Sequence, residues 1–241
     1  LMAKLAGEEL REVPYYGILE TKVGGADCVI SQTGFTGEKG YEIYVRDAHE
    51  NAEKMWNAVL EAGEEFGLMV IAPAHHRRIA AGILSWGQDL DHETSPFQVN
   101  LAYQVPRNKA SDYIGKEALE KQRAIMDEGN APFKMKMVGI TFGGKEITDY
   151  APDFWLIEDT DGNEMGYVTS PWWSPELETN IGLAWVPWNS SEVGTKLQVK
   201  LPEEYSDGGP AQGEVVEVPF RESVNPNKRE VQKAKGLDYA D

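Results

Sequence analysis

The stretch 166–184, GYVTSPWWSPELETNIGLA, decides how the second half of the chain folds. Apolar and β-branched residues on both sides of a centre rich in serine and proline predict a strand, a loop and a second strand. Trp172 and Trp173 fall in that loop, where they either plug the core or form one wall of a ligand cleft. Short strands at the density seen after residue 133 predict a small barrel or a sandwich. The predicted strands are 135–142, 153–158, 164–169, 181–186, 196–199 and 213–218.

The first half of the chain reads as a mixture of helices and short strands. Gly24-Gly25 indicates a hairpin, and apolar residues three and four positions apart after residue 48 indicate a helix that ends at Gly63. The expected strands are 13–19, 26–31, 41–45 and a short buried strand at 68–71. The expected helices are 48–63, one from Pro73 to about Trp86 that Gly87 closes, and 116–126, followed by an interdomain linker at 127–132.

Composition bounds the class of the protein. The chain has 241 residues, of which 41% are hydrophobic and 26% charged, as in globular domains. Its net charge of −17 disfavours contact with nucleic-acid phosphates, and no apolar run reaches the 18 residues of a membrane span. A single cysteine, Cys28, cannot form an internal disulfide, which fits a reducing compartment. We therefore expect a cytoplasmic protein that binds small molecules and neither nucleic acid nor a membrane.

The start of the chain, LMAKLAG, reads as the end of a helix that Gly7 stops. No basic region precedes an apolar one here, so the segment does not resemble a signal peptide. We expect folded sequence ahead of Leu1, either on the same chain or on a partner subunit. The alternative is that only disordered residues precede it.

The densest candidate site is the segment 33–42, TGFTGEKGYE. Three glycines within seven residues let the backbone turn tightly or approach a ligand closely. Glu42 lies at the start of the next predicted strand, where its carboxylate can accept two N–H donors from an amino-heterocycle. The alternative is a simple hairpin with solvated carboxylates.

A second candidate segment is 73–82, PAHHRRIAAG. The adjacent His75 and His76 point about 100° apart on a helix, unlike the i, i+4 pair of a zinc helix, so we expect no metal. Arg77 and Arg78 are candidates to clamp an anionic ligand; the alternative is a structural ion pair. His75 and His76, with Trp172 and Trp173, are candidates to line a substrate cleft. His75, His76 and also His92 have the pKa class of a proton donor to the leaving group; the alternative is that each histidine is structural.

Four ordered motifs carry a family resemblance. The pattern T-G-[YF]-T-G-E-x-G-[YF]-E matches residues 33–42, and R-[LI]-x-x-G-x-x-x-[YW]-G-x-[DE] matches 78–89. The pattern [FY]-I-G-[KR]-E-A-L matches 113–119, and V-T-S-x-x-x-S-P-x-L-x-x-N-I-[GA]-L-A matches 168–184. Together they resemble the folate-binding aminomethyltransferases, which include the glycine-cleavage T-protein and tetrahydrofolate-dependent demethylases of dimethylsulfoniopropionate, vanillate and syringate.

The resemblance implies an α+β fold. A folate-binding α/β portion would occupy residues 1–130, a small antiparallel β-barrel 131–220 and a surface tail 221–241. It places Glu42 on the carboxylate that binds the pterin ring of tetrahydrofolate, with Phe35, Glu38 and Tyr41 beside it. Family members carry about another third of their length ahead of the position of Leu1. The aspartate near their reacting pterin nitrogen lies there and has no counterpart here, so no catalytic residue is assigned.

Departures from the T-protein pattern A-R-D-x-L-R-L-E-x-G argue against an ordinary T-protein, whereas the R-R-I start at 77–79 and the stretch 174–184 resemble the demethylases more closely. Ala74 replaces the first arginine, which helps to hold folate in the T-protein, and Ala80 replaces the glutamate. We therefore expect a tetrahydrofolate-dependent one-carbon transferase, closer to the demethylases than to the T-protein, that takes a methyl or aminomethyl group from a small-molecule donor. The alternative is a folate-binding module or subunit without transfer activity.

Overall fold

A computed structural model describes residues 1–73 and 75–221, which form two compact units with those bounds. The expectation of a surface tail at 221–241 falls, except for Arg221, outside the described residues. The predicted domain boundary at residue 130 stays a prediction. The second compact unit begins at His75, so the segment from His75 to residue 130 belongs to the same unit as the strands that follow it.

The first unit is a three-stranded antiparallel sheet packed against two helices. Helix α1 (Met2–Ala6) ends at Gly7 as expected, and the strands lie in the order β1, β2, β3. Gly24 and Gly25, with φ of 59° and 81°, form the two-residue turn of the predicted hairpin. Helix α2 matches its predicted range. The bounds are β1 (Ile18–Val23), β2 (Ala26–Ser31), β3 (Glu42–Val45) and α2 (Ala48–Gly63).

The core of this unit lies between one face of the sheet and the helices. Val23, Cys28 and Ile30 are buried on that face, and Met55 and Val59 of α2 pack against them. The expectation of a buried strand at 68–71 is wrong. Its four apolar side chains are exposed, and no strand of the described residues pairs with the segment. Apolar character alone does not make a strand, because a strand needs a neighbour for its backbone N–H and C=O groups.

The second unit contains a closed antiparallel β-barrel, which confirms the α+β fold with a C-terminal barrel. Six strands follow the order β4, β7, β6, β5, β8, β9, and β9 pairs back onto β4. Alternate residues such as Val138, Ile140 and Phe142 fill the interior. The bounds are β4 (Met135–Phe142), β5 (Trp155–Glu158), β6 (Glu164–Ser174), β7 (Thr179–Pro187), β8 (Lys196–Val199) and β9 (Ala211–Val216).

The hairpin of β6 and β7 differs from its prediction. The predicted loop around Trp172 and Trp173 belongs to β6, which continues to Ser174 and pairs with Thr179. The turn that remains spans only residues 175–178. Serine and proline suggested a loop, but Pro171 lies in a strand of a closed barrel just after a register shift between Val168 and Ser170, where an irregular ladder tolerates it.

Two helices precede the barrel in the second unit, α3 (His75–Ala80) and α4 (Lys116–Asp127). Helix α4 confirms its prediction, whereas α3 stops six residues before the predicted end at Trp86. Gly82, with φ of 66°, donates its N–H to the Ile79 carbonyl, and the Ile83 N–H bonds the Arg78 carbonyl. This is the Schellman pattern that ends helices at a glycine. Within the described residues, no helix is long and apolar enough to cross a membrane.

Candidate functional site

Glu42 lies on the open face of the three-stranded sheet. It stands at the start of β3, opposite Ser31 of β2, and its side chain is exposed. Its Oε2 accepts hydrogen bonds from the hydroxyls of Thr33 and Tyr44, the latter at 3.2 Å. No donor of the described residues bonds the other oxygen, Oε1. The carboxylate is thus held in one orientation with an oxygen left to accept N–H groups from a ligand.

Tyr44 is a neighbour of Glu42 that the sequence interpretation missed. It lies two residues after Glu42, so the two side chains share a face of β3. The hydrogen bond and negative charge of Glu42 raise the pKa of Tyr44 above its ordinary value, because both favour the protonated hydroxyl. Strand alternation was the signal in the sequence that points to this residue.

The other residues predicted around Glu42 differ in whether their side chains are exposed or packed against the core. Phe35 is half exposed and can offer its ring to a ligand. Glu38 is partly buried, and its backbone N–H bonds the Thr36 hydroxyl at 3.2 Å. Tyr41 packs against the core of the first unit, because adjacent side chains in an extended segment point to opposite sides. Tyr41 therefore anchors the segment on the side away from the Glu42 carboxylate.

Arg78 does not fit the expectation of an anion clamp. Its side chain is almost completely buried, and its guanidinium makes five hydrogen bonds within the second unit. The acceptors are Asp89 Oδ2 (2.8 Å), Ser170 Oγ (2.8 Å), the Ile83 carbonyl (3.1 Å), Gln88 Oε1 (3.2 Å) and His75 Nδ1 (3.4 Å). A guanidinium has five N–H donors, so none remains for a ligand. The alternative of a structural ion pair is the one that the structure bears out.

Asp89 is the centre of this buried network, a role that the sequence interpretation did not assign to it. Besides Arg78, its Oδ2 accepts the Ser85 backbone N–H at 2.8 Å. Its Oδ1 accepts the hydroxyls of Thr169 and Ser170, both at 2.6 Å. The Trp185 indole donates to the Asp89 carbonyl at 3.0 Å. A charge pair from the segment 78–89 is thereby fixed onto strands β6 and β7.

His75 extends the network to a partly exposed aromatic cluster. Its ring stacks on Trp172 at 5.5 Å, tilted by 27°, and lies 5.5 Å from the ring of Tyr150. Burial, and secondarily the positive charge of Arg78, lower the pKa of His75 below its ordinary value. Because Nδ1 accepts the Arg78 N–H, the neutral ring carries its proton on Nε2 and can donate there.

The other predicted residues of the second unit, the cleft candidates Trp173 and His76 and the anion-clamp candidate Arg77, have no ring contact with this cluster among the described residues. Trp173 follows Trp172 in β6 and points to the opposite face of the strand. Arg77 is exposed, and His76 is partly buried. Burial, together with the charges of Arg77 and Arg221, lowers the pKa of His76.

The predicted site residues therefore fall into two groups, one in each unit. Glu42, Phe35, Glu38 and Tyr41 belong to the first, and the arginines, histidines and tryptophans to the second. Among residues 1–73 and 75–221, no three His, Cys, Asp or Glu side chains are grouped so as to hold a metal ion.

Comparison with known protein families matches two models in sequence order. The GCVT N-terminal domain matches residues 1–109, and the glycine cleavage T-protein C-terminal barrel domain matches residues 136–221. The second match covers the closed barrel of the structure.

Curated relatives and a solved structure resemble the chain over most of its length. Aminomethyltransferases of Caldanaerobacter subterraneus subsp. tengcongensis and Geobacillus sp. are each 32% identical, and one of Clostridium botulinum is 33% identical. Each alignment covers 83% of this chain but only 50–53% of the relative. The crystal structure of glycine cleavage system aminomethyltransferase T from Bartonella henselae matches with a TM-score of 0.68 at 22% identity, over 88% of this chain and 54% of that one. The chain thus spans about half the length of the proteins that it matches.

Proposed function

Because this chain belongs to the folate-binding aminomethyltransferase family, we propose that it forms part of an enzyme that transfers a one-carbon group to tetrahydrofolate. The observation that supports this most directly is the geometry of Glu42. Its carboxylate is exposed, held by Thr33 and Tyr44 through one oxygen, and open to a donor at the other. Paired N–H groups of a pterin ring are donors of the matching kind, and charge assistance strengthens such bonds.

Residues of the first unit fit the recognition of a flat heterocycle. Phe35 is half exposed and offers an aromatic face beside the glycine-rich segment. Gly37, with φ of 74°, gives that segment a turn that other residues rarely adopt. In this proposal Glu42 fixes the pterin orientation, and Glu38 supports the segment that carries Phe35.

Tetrahydrofolate, when bound, supplies the nucleophilic nitrogen, so the chain itself needs no nucleophile. The task of its residues is to hold the two reactants in a reactive orientation. In the second unit, neutral His75 presents its Nε2–H beside Trp172 and Tyr150. We assign to it a hydrogen bond to the heteroatom of the donor. The exposed Arg77 is the candidate for an anionic group of a ligand.

The donor belongs, in this proposal, to the methylated compounds used by the demethylases. Ala74 and Ala80 replace an arginine and a glutamate of the T-protein pattern, which favours a different reaction partner. The chain spans about half the length of the proteins that it matches, so the activity of a complete protein is itself part of the proposal. A cytoplasmic location is part of the proposal and rests on the single, free Cys28.

Calorimetric titration with tetrahydrofolate tests the assignment of Glu42. We expect Glu42→Gln to weaken binding by more than about tenfold, since it removes a charge-assisted hydrogen bond. Glu20→Gln is the matched control: Glu20 is another exposed carboxylate of the sheet, paired with Arg46 at 3.3 Å, and should bind as the unmodified chain does. If the 241-residue chain does not bind, the titration is repeated with the full-length protein. Equal affinities of Glu42→Gln and the unmodified protein would remove the pterin assignment.

Product analysis tests the transfer and the class of donor. The full-length protein is incubated with tetrahydrofolate and, in turn, methylated sulfur compounds, aromatic methyl ethers, N-methyl amines and aminomethyl donors. Methylated folate from one of these donors would support the demethylase assignment. Folate binding without product from any donor, aminomethyl donors included, would support the alternative of a non-catalytic folate-binding subunit.

A further inference from the structure

A cavity beside helix α4 gathers basic side chains in this acidic protein. It has a volume of about 230 Å³ and lies between the segment 105–109 and one face of α4. Four basic and two acidic side chains line it, whereas the whole chain has a net charge of −17. These are Arg107, Lys109, Lys116 and Arg123, with Glu120 and Asp127.

Both arginines of the cavity are occupied by structural contacts. Arg107 forms a two-pronged pair with the Asp127 carboxylate, at 2.6 and 2.8 Å. Arg123 donates to the Val105 carbonyl and lies over the ring of Phe97, 4.9 Å from its centre. These contacts fix the walls of the cavity and neutralise the charge of Asp127.

The two lysines differ from the arginines in their contacts. Lys109 Nζ lies over the Tyr113 ring, 4.4 Å from its centre, as in a cation–π contact. Within the part of the chain that the structure describes, no carboxylate pairs with Lys109 or Lys116. Because Arg107 and Asp127 cancel each other, the excess positive charge of the cavity comes from Lys109, Lys116 and Arg123 against the single carboxylate of Glu120. Lysine ammonium groups are common binders of phosphate and carboxylate.

Tyr113 and Lys116 also belong to the motif 113–119, which the proposed folate site does not use. Both line this cavity. Cavities that enclose nucleotide-sized or drug-sized ligands are about 300–1,000 Å³, so this one suits a smaller group. We propose that the cavity is a binding site for a small dianion, a phosphate group or a dicarboxylate, held by Lys109 and Lys116. This site is independent of the folate assignment.

The test is an NMR titration of the ¹⁵N-labelled 241-residue chain at low, constant ionic strength, with inorganic phosphate and succinate as separate probes. Low salt matters because screening weakens contacts between exposed charges. We expect saturable shifts of the Tyr113 and Lys116 amides with at least one probe. Lys109→Ala combined with Lys116→Ala should weaken that binding by more than about tenfold, equivalent to 1.4 kcal/mol.

Lys121→Ala is the matched control. Lys121 lies on the same helix, pairs with Glu117 at 2.6 Å and does not line the cavity, so its loss should leave the affinity unchanged. Unfolding midpoints of all variants establish that each is folded. Shifts with phosphate alone or succinate alone identify the group that the site prefers. An absence of saturable shifts with both probes, or equal loss of affinity in Lys121→Ala, would overturn the proposal.

Discussion

Arg78 and Asp89 form a buried ion pair, 2.8 Å between Nη1 and Oδ2, with side chains 2% and 0% exposed. Every hydrogen-bonding position of both groups is used. The hydroxyls of Thr169 and Ser170 occupy the acceptor positions of Asp89 Oδ1. The pair therefore holds α3 and the loop that follows it against the hairpin of β6 and β7. A buried charge pair of this kind is costly to break, because removal of one partner leaves an uncompensated charge.

Asp89→Asn should destabilise the protein strongly. The substitution leaves the Arg78 guanidinium buried without a counter-charge, and losses of about 3–5 kcal/mol in the free energy of unfolding are typical. Urea denaturation measures the change. Glu117→Gln, which breaks the exposed pair with Lys121, is the control and should cost less than about 0.5 kcal/mol. Similar losses in the two variants would contradict a structural role for the buried pair.

Gly82→Ala should destabilise the second unit more than a glycine replacement at an open turn. Gly82 has φ of 66°, and an added Cβ would lie 2.4 Å from Cγ1 of Val218. Gly162, with φ of 86°, has no neighbour within 4 Å of the same position. Backbone strain alone costs about 1–2 kcal/mol at such conformations, so Gly162→Ala isolates that part. Thermal unfolding of both variants should show the larger loss at Gly82.

The stability of the protein should fall as the pH drops below about 6.5, partly through His75. The pKa of His75 is lowered in the folded protein, by burial first and by Arg78 second. The unfolded chain therefore binds the proton more readily, and acidification favours unfolding between the ordinary pKa and the folded one. His75→Phe keeps a ring against Trp172 and removes the titration. Urea unfolding at several pH values should show a shallower decline for this variant; an unchanged decline would contradict the assignment.

Tyr44→Phe should weaken tetrahydrofolate binding if Glu42 holds the pterin. The substitution removes one of the two hydroxyls that orient the Glu42 carboxylate, a hydrogen bond with a net worth of about 0.5–1.5 kcal/mol. We expect a loss of affinity of about two- to tenfold by calorimetry. Tyr44 is more than half exposed, so the unfolding midpoint should change little. Full affinity in this variant would mean that Thr33 alone suffices to orient Glu42.

Local signals in the sequence located much of the secondary structure. Helix 48–63 followed from the spacing of its apolar residues, and the hairpin at Gly24-Gly25 from turn chemistry. Both depend on neighbours within a few positions. Gly82 was also a local signal, because a glycine often follows the last residue of a helix. The apolar residues that continue after it led to a predicted helix that is too long.

The misplaced elements depended on partners that are distant in the sequence. Residues 68–71 are apolar, yet no described strand pairs with them. Trp172 and Trp173 lie among serine and proline, yet pairing with Ile181 and Asn180 draws them into β6. Propensity describes what a segment prefers alone, whereas a barrel imposes register on its strands.

The sequence by itself determined the composition of the candidate sites: a glycine-rich segment leading to Glu42, and an arginine pair at the start of a helix. The tertiary structure decided their roles. It left the carboxylate of Glu42 open and enclosed Arg78 between Asp89, eleven positions away, and Ser170, 92 positions away. The physical reason is that burial and hydrogen-bond partners decide whether a charged side chain can meet a ligand, and both arise from segments that only the fold brings together.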